Sequence, residues 1–496
     1  MDWITPTVFF PIVLGLALLF LSQFKRTNEL APRIALLIGV VTFVFSMAML
    51  VQYGLNPIDW QFGRFQEYHT YSWLPQLGIN LTFGVDGVSV PLIVLTTITT
   101  IVVTLSSINL IKERKGFYYS LILITEGGVI GVFTSINLFV FFIFWEVVLI
   151  PMFFLIGVWG GPRREYSAYK FLIYTHVGSV VMLIGIFLAY FSTGGATFNL
   201  LVISQRLANP AFPELLKTII FATLAFGFLV KMPVFPFHTW LPDAHVEAPS
   251  PVSVVLASLL LKMGGYGMIR FAFQMIPAVA QQYSPVLLAM GIISALYGSF
   301  VAYRQTDVKR MVALSSISHM GFVLIGISSL TTIGLVGSIF QMFSHGIIVG
   351  SLFLLSGFIG ESTGTRQIPV LRGLARAMPR LGGLMTFASL ASVGLPGLSG
   401  FIGEFMIISG AFEANFAVGF LAASVLAITA GYYMWMLQRM IFSQPLEGKQ
   451  FHDLSGSELA ALSIFAVLII ALGVYPLLLQ SYIAPSVSLL VHLSQW

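Results

Sequence analysis

Stretches of about 20 apolar residues follow one another along nearly the whole of this 496-residue chain, each long enough to cross the hydrocarbon core of a bilayer as a helix. With 57% of its residues hydrophobic and only 9% charged, the chain lacks the polar surface that a soluble protein of this length needs. A soluble catalytic domain would require a long run of mixed charge, and the sequence holds none. The expected fold is therefore an all-α polytopic membrane protein.

The hydrophobic pattern predicts about fourteen spans, near 5–23, 33–52, 87–109, 116–134, 137–158, 168–192, 216–240, 250–275, 284–304, 309–328, 332–358, 380–408, 415–440 and 458–480. The first apolar run, Val8 to Leu21, has no basic stretch before it and no Ala-x-Ala site, so it reads as a retained span rather than a signal peptide. Seventeen of the 24 basic residues fall in loops after odd-numbered spans, and four (Arg64, Arg206, Lys217 and Arg270) after even-numbered ones. Lys170, Lys231 and Lys262 lie within spans. By the positive-inside rule the odd-following loops face the cytoplasm and both termini face the periplasm or a lumen. The outward loops 53–86 and 193–215, rich in Pro, Asn, Gln and aromatics, read as interface-lying, and the chain ends about sixteen residues after its last span. The same scatter of basic residues excludes a nucleic-acid surface, despite a net charge of +5. Cysteine is absent, which excludes thiolate-ligated iron–sulfur clusters, disulfides and Cys-based zinc sites from this chain.

Spans four to eight and nine to thirteen share a layout of five helices with the fourth interrupted. The interruptions are Lys231-Met-Pro-Val-Phe-Pro236 and Gly394-Leu-Pro-Gly-Leu-Ser-Gly-Phe-Ile-Gly-Glu404. The third helices match as well, with Tyr174-Thr-His176 in one and Phe343-Ser-His345 in the other. Because five is odd, the second set enters from the opposite side, which gives inverted repeats with ion sites expected at their broken helices. The organisation reads as a three-helix N-terminal segment (1–110), a first five-helix repeat (111–280), a second inverted one (281–441) and a C-terminal helix and tail (442–496).

Charges inside these spans are the candidate working groups, because one at the centre of a membrane helix costs about 2.5–3.5 kcal/mol on insertion scales. Lys231 precedes two prolines, and Glu146, in Phe144-Trp-Glu-Val-Val148, is its natural counter-charge. The plainer reading of that pair is a structural tie between helices. Lys262, a dozen residues into its span and next to Gly264-Gly265, suits a desolvated relay better than a snorkelling side chain. Glu404 answers Lys231 in the second repeat, either as a relay or as the cap of a half-helix. His319 and His345, flanked by small and hydroxyl residues, suit either proton transfer or helix packing, and His176 is a weaker candidate. Glu126 reads equally as a pore residue or a structural one. His238, Asp243, His245 and Glu247 carry ligand chemistry but fit no metal spacing, and read instead as the polar lining of an ion entrance or a loop network. Asp307, Lys309, Arg310 and Asp86 read as surface and helix-cap residues.

Taken together, Phe144-Trp-Glu146-x4-Pro151, Lys231-Met-Pro, His238-x-Trp-Leu-Pro-Asp-Ala-His245, Leu261-Lys-Met-Gly-Gly-Tyr266, Gln305-Thr-Asp-x-Lys-Arg310, Ser318-His-Met-Gly321 and Gly403-Glu-Phe405 resemble the antiporter-like membrane subunits of respiratory and photosynthetic complex I. The resemblance spans nearly the full chain. It is strongest to the chain 4 type, because Glu404 stands where sister subunits and Mrp antiporters usually carry lysine. It implies fourteen helices, inverted five-helix repeats and a hydrated polar axis at the membrane midplane. It also implies roles: Glu146 and Lys231 a gating ion pair, Lys262 the central relay, His319 and His345 bridges, and Glu404 the terminal site open to the outward side. Glu126 has no counterpart in that pattern.

The expected function is proton translocation driven by quinone reduction in a NAD(P)H- or ferredoxin-quinone oxidoreductase, with quinone and iron–sulfur clusters in partner subunits and no cofactor or metal on this chain. The expected setting is an energy-transducing membrane, bacterial inner membrane or thylakoid, among neighbouring antiporter-like subunits. The rivals are an Mrp-type Na⁺/H⁺ antiporter subunit and a structural spacer within the complex.

Overall fold

The computed structural model describes residues 2–55, 65–444 and 451–494. Arg64, Lys449 and residues 56–64 of the first outward loop lie outside them. Twelve helices among the described residues are long and apolar enough to cross a membrane.

The N-terminal layer consists of α1 (Ile4–Leu21), α2 (Lys25–Leu55), α3 (Ser89–Ser107) and α4 (Lys115–Thr134). Between α2 and α3, where an interface-lying loop is expected, stands an antiparallel hairpin of β1 (Gln66–Leu74) and β2 (Ile79–Val85). Gly78 turns it with φ +66, a conformation that costs a residue without Cβ nothing.

The fifth span is kinked. α5 (Leu138–Val147) gives way at Val148 to α6 (Leu149–Trp159), because Pro151 offers no N–H to the Val147 carbonyl one turn earlier. Glu146 sits at that kink. Next come α7 (Arg164–Ser192), α8 (Leu200–Leu207) and α9 (Glu214–Lys231). The seventh span, expected over 216–240, stops as a helix at Lys231: Pro233 and Pro236 hold the chain irregular up to α10 (Trp240–Glu247). The eighth span is continuous but not uniform. α11 (Ser250–Val255) and α12 (Leu261–Gly267) alternate with π-helical segments Leu256–Leu260 and Met268–Phe273, so Lys262 lies between two places where the helix has taken up an extra residue.

α13 (Pro277–Tyr303), α14 (Val308–Ser328) and α15 (Thr332–Thr363) follow, then the short α16 (Leu374–Ala377). The twelfth span is again two pieces, α17 (Pro379–Val393) and α18 (Ser399–Ala414), parted by Gly394-Leu-Pro-Gly-Leu398. α19 (Phe416–Met436) and α20 (Gly456–Val474) complete the bundle. The final span ends at Val474 rather than near 480. Pro476 stops it, and the last stretch forms a further helix, α21 (Leu477–Ser494), which buries Ile483 and Val487 and sets Ser486 Oγ 2.9 Å from Tyr53 OH of α2.

Three spans are buried on every side: the Ser250–Phe273 helix, α14 and α15. A helix that is apolar all round belongs at the centre of a bundle, and these three form it. The outer helices α1, α2, α7, α13, α19 and α20 bury only one face and turn Leu, Ile, Val and Phe outward.

Candidate functional site

Each of the three central spans contributes one ionisable side chain to a single line: Lys262, His345 and His319. On α12, Lys262 Nζ donates to the Ala257 carbonyl and, at 2.6 Å, to Nδ1 of His345 on α15. The His345 ring stands 5.4 Å from the ring of His319 on α14, inclined at 68°. His319 Nδ1 is 3.0 Å from Glu404 Oε1 on α18, and its Nε2 is 3.2 Å from Ser392 Oγ, which bonds to Tyr433 OH at 2.9 Å. Gln341 Nε2 donates to the same Glu404 oxygen at 3.4 Å. All four ionisable groups are buried. Glu404 is the sixth residue of α18, whose cap position is Leu398, so the capping reading of this carboxylate does not hold. Gly394 makes room for it: an added Cβ there would lie 2.9 Å from Glu404 Oε2, at a φ of +83.

Around the first break the arrangement differs from the expected Glu146–Lys231 contact. Glu146 Oε2 is 3.0 Å from His176 Nδ1 on α7, and that histidine is 54% exposed on the outer face of the bundle. Lys231, the last residue of α9, instead lies with Nζ 5.2 Å from the centre of the Trp145 ring and 5.8 Å from that of Phe171. Trp145 is held in turn by a bond from Nε1 to Ser179 Oγ at 3.0 Å. The carboxylate and the ammonium are each held by another group.

The residues after the first break separate. His238 packs between Phe235 and Tyr297, with ring centres 5.6 and 4.9 Å away. Asp243 bonds Lys170 at 2.6 Å, and Glu247 lies 3.6 Å from Arg163 Nε. His245 is enclosed, stacked 4.4 Å from Phe353, with neither ring nitrogen bonded. Among the described residues, the side chains able to converge on one metal ion are Asp2, Glu67 and His69 at the outer hairpin, and none of these four.

Two placements correct the sequence reading. Lys309, read as a surface residue, is buried and donates to the Ala248 carbonyl; it borders a polar cavity of about 630 Å³ with Glu247, Asp307, Glu361 and Arg366. Arg270, assigned to a loop, is buried in the second π segment with Nη2 2.6 Å from Asp86 Oδ1. Asp307 does cap α14, accepting from Arg310 N, whereas Asp86 lies two residues before the Val88 cap position of α3 and accepts from the Val88 and Ser89 amides. Sequence reasoning missed Gln341 and Tyr433. The signals for both were present: Gln341 lies one helical turn before His345, and Tyr432-Tyr433 stands in an otherwise apolar span.

Residues 135–429 match the family model described as NADH:quinone oxidoreductase/Mrp antiporter, TM. The chain is 39% identical to NADH-quinone oxidoreductase subunit M of Rickettsia prowazekii, covering 95% of both chains. It is also 39% identical to F(420)H(2) dehydrogenase subunit M of Methanosarcina mazei, covering 94% of both. Among solved structures it resembles a chain of respiratory complex I from Thermus thermophilus with bound NADH, at 31% identity and a TM-score of 0.89 over 99% of each chain.

Proposed function

The chain belongs to the NADH:quinone oxidoreductase/Mrp antiporter membrane family, and from that membership we propose that it moves protons across the membrane along Lys262, His345, His319 and Glu404, driven by quinone reduction in partner subunits. It is a multi-pass membrane subunit of an ion-translocating oxidoreductase complex. Electron transfer belongs to the partners, since a chain without cysteine offers no thiolate for an iron–sulfur cluster. Two relatives of equal identity carry names that specify different donors, NADH and F(420)H(2). This subunit therefore does not choose the donor.

The observation that carries the reading is the file of contacts across three fully buried spans. An ammonium at Lys262 passes a proton to His345 Nδ1, and the imidazole can release one from its other nitrogen. His319, touching both Glu404 and the Ser392–Tyr433 hydroxyls, then loads the carboxylate. Uptake begins at the cavity beside Lys309, which lies among the basic loops and hence on the cytoplasmic side. Release is from Glu404 toward the outward side, which both termini share. His245 stands between cavity and file, on the short helix that the first break sets free. We take the total as fourteen crossings, with the two broken spans as the fourth members of inverted five-helix repeats over 111–280 and 281–441.

Gating falls to Glu146 and Lys231. When they pair, each stabilises the other's charge; when Glu146 turns to His176 and Lys231 to Trp145, that stabilisation is lost and the field at Lys262 changes. Quinone reduction in partner subunits biases this choice. The test is Lys262→Met in the assembled complex, with the proton-to-electron ratio measured alongside quinone reduction. The expected result is loss of pumping. A normal ratio at normal quinone reduction would leave a structural spacer, and failure of iron–sulfur subunits to copurify would leave the Na⁺/H⁺ antiporter.

A further inference from the structure

Glu126 lies outside the file and is the most enclosed carboxyl among the described residues, with 0% exposure and neither oxygen assigned a hydrogen-bond donor. It sits midway along α4, in the N-terminal layer. The hydroxyl beside it, that of Thr100 on α3, gives its own proton to the Thr96 carbonyl at 3.1 Å, so toward Glu126 it is placed to accept from the protonated acid. α1 seals the other side: Val8 O and Ile12 crowd the position where Gly127 would carry a side chain.

The surroundings supply a route. Thr100, Thr104 and Ser107 recur at helical spacing along one face of α3, and Tyr119 stands seven residues before Glu126 on the same face of α4. The hydroxyls of Thr104 and Tyr119 are enclosed and unpartnered. The row ends at Ser107 Oγ, 2.9 Å from Tyr118 OH, next to the loop bearing Lys112 and Arg114 that leads into Lys115 at the start of α4. A buried polar group without a partner is costly, and one ionisable group at membrane depth, with a row of hydroxyls leading to it of which Thr104 and Tyr119 are unserved, has the layout of a water-fed acid.

We propose that Glu126 is a proton-binding site in its own right, loaded and unloaded during turnover through the hydroxyl row between α3 and α4, separately from the Lys262–Glu404 file. The carboxylate gains one proton from a water in the row and returns it, and no other bond changes. The inference rests on the reading that this chain moves protons, but the two fail separately.

Redox-triggered infrared difference spectroscopy on the assembled complex tests it. A carboxylic C=O difference band, downshifted in D₂O, is expected in the wild type, lost in Glu126→Gln and displaced in Glu126→Asp, with a slower rise in Thr104→Val. Carboxyl bands unchanged in Glu126→Gln overturn the site. Should that variant fail to assemble, unchanged bands in Glu126→Asp do the same, and a wild-type rise in Thr104→Val removes the row as its route. Lys262→Met keeps the two ideas apart. Loss of pumping there, with bands indifferent to Glu126, removes Glu126 alone; retained pumping overturns translocation along the file, whatever the Glu126 band shows.

Discussion

The two broken spans use one backbone device and stabilise opposite charges with it. At the first, α9 ends on Lys231, so the cation sits at a helix C-terminus, where the unpaired carbonyls favour positive charge. Its ammonium faces the rings of Trp145 and Phe171. At the second, Glu404 lies near the start of α18 and is met by donors: Gln341, and His319 at 3.0 Å. Aromatic faces hold a cation without fixing its direction, whereas hydrogen bonds fix a carboxylate to named atoms. In the proposed scheme this difference lets the charge at the first break move between partners, while the second keeps its charge in place and exchanges a proton with it. A gate and a terminal site require these two different properties.

Removing either charge breaks the comparison most severely. Glu404→Gln keeps the shape and the Gln341 contact but cannot take the proton, and should cut proton translocation about 100-fold, the order seen when a positioned acid or base is lost. Lys231→Ala or Glu146→Ala should cut it comparably. Pumping retained in an assembled Lys231→Ala complex at normal quinone reduction would remove the gate from the scheme. His176→Ala tests the other half of the switch. Without that partner Glu146 returns to Lys231, and coupling should fall while quinone reduction continues.

Trp145→Leu is milder and separates the breaks more finely. A desolvated cation–π contact is worth about 2 kcal/mol, so its loss should shift the balance toward the Glu146–Lys231 pair by about 30-fold. An infrared band of the Glu146 carboxylate would report the shift. An equal effect on Glu404 bands would show that the two sites are not independently held. Gly394→Ala acts on the second break alone. It forces a Cβ into a left-handed conformation against Glu404 Oε2, and should lower the stability of that segment by about 1–2 kcal/mol, read as a lower melting temperature of the complex.

The sequence announces these features to different degrees, for physical reasons. Lys231, Lys262 and Glu404 stand out because charge in hydrocarbon is expensive, and the breaks because proline and glycine cannot continue a helix. Partner choice is less visible. Glu146 and Lys231 are the obvious couple by charge, yet rotamers and packing give Glu146 to His176, a contact between residues 30 apart on different helices. Lys309 and Arg270 were misplaced because a basic residue near a span end looks like a loop residue. Only tertiary packing shows that Asp86, 184 residues away, draws Arg270 inward. The outer hairpin escaped because strand alternation over seven to nine residues is weak beside helical spans.

That hairpin also supplies the smallest effect and a reference for all the others. Burial pushes the Glu67 carboxyl up from 4.5 to about 7, against the pull of the Trp3 amide, which donates to it at 2.9 Å. Asp2 moves the other way: burial alone would raise it, but the hydroxyls and amide of Thr5 and Tyr71, with His69, hold it below 3.8. For Glu67 the docked pKa exceeds the undocked one, so docking of the N-terminus is favoured below pH 4.5 and that contribution is lost as pH rises through about 7. For Asp2 the contribution is present above pH 3.8 and lost only on further acidification. Exchange of the Trp3 amide should therefore accelerate across pH 4.5–7 by more than base catalysis alone explains, and Glu67→Gln should flatten the excess. The hairpin packs on α5, with the rings of Phe83 and Phe144 6.2 Å apart, but the partners that set Glu67 and Asp2 include none of Lys231, Glu146 and Glu404, so the variants at those three residues should share the wild-type curve. A variant that shifts it has altered the fold at a distance, and its loss of pumping then says nothing about whether the two breaks divide gating from proton release.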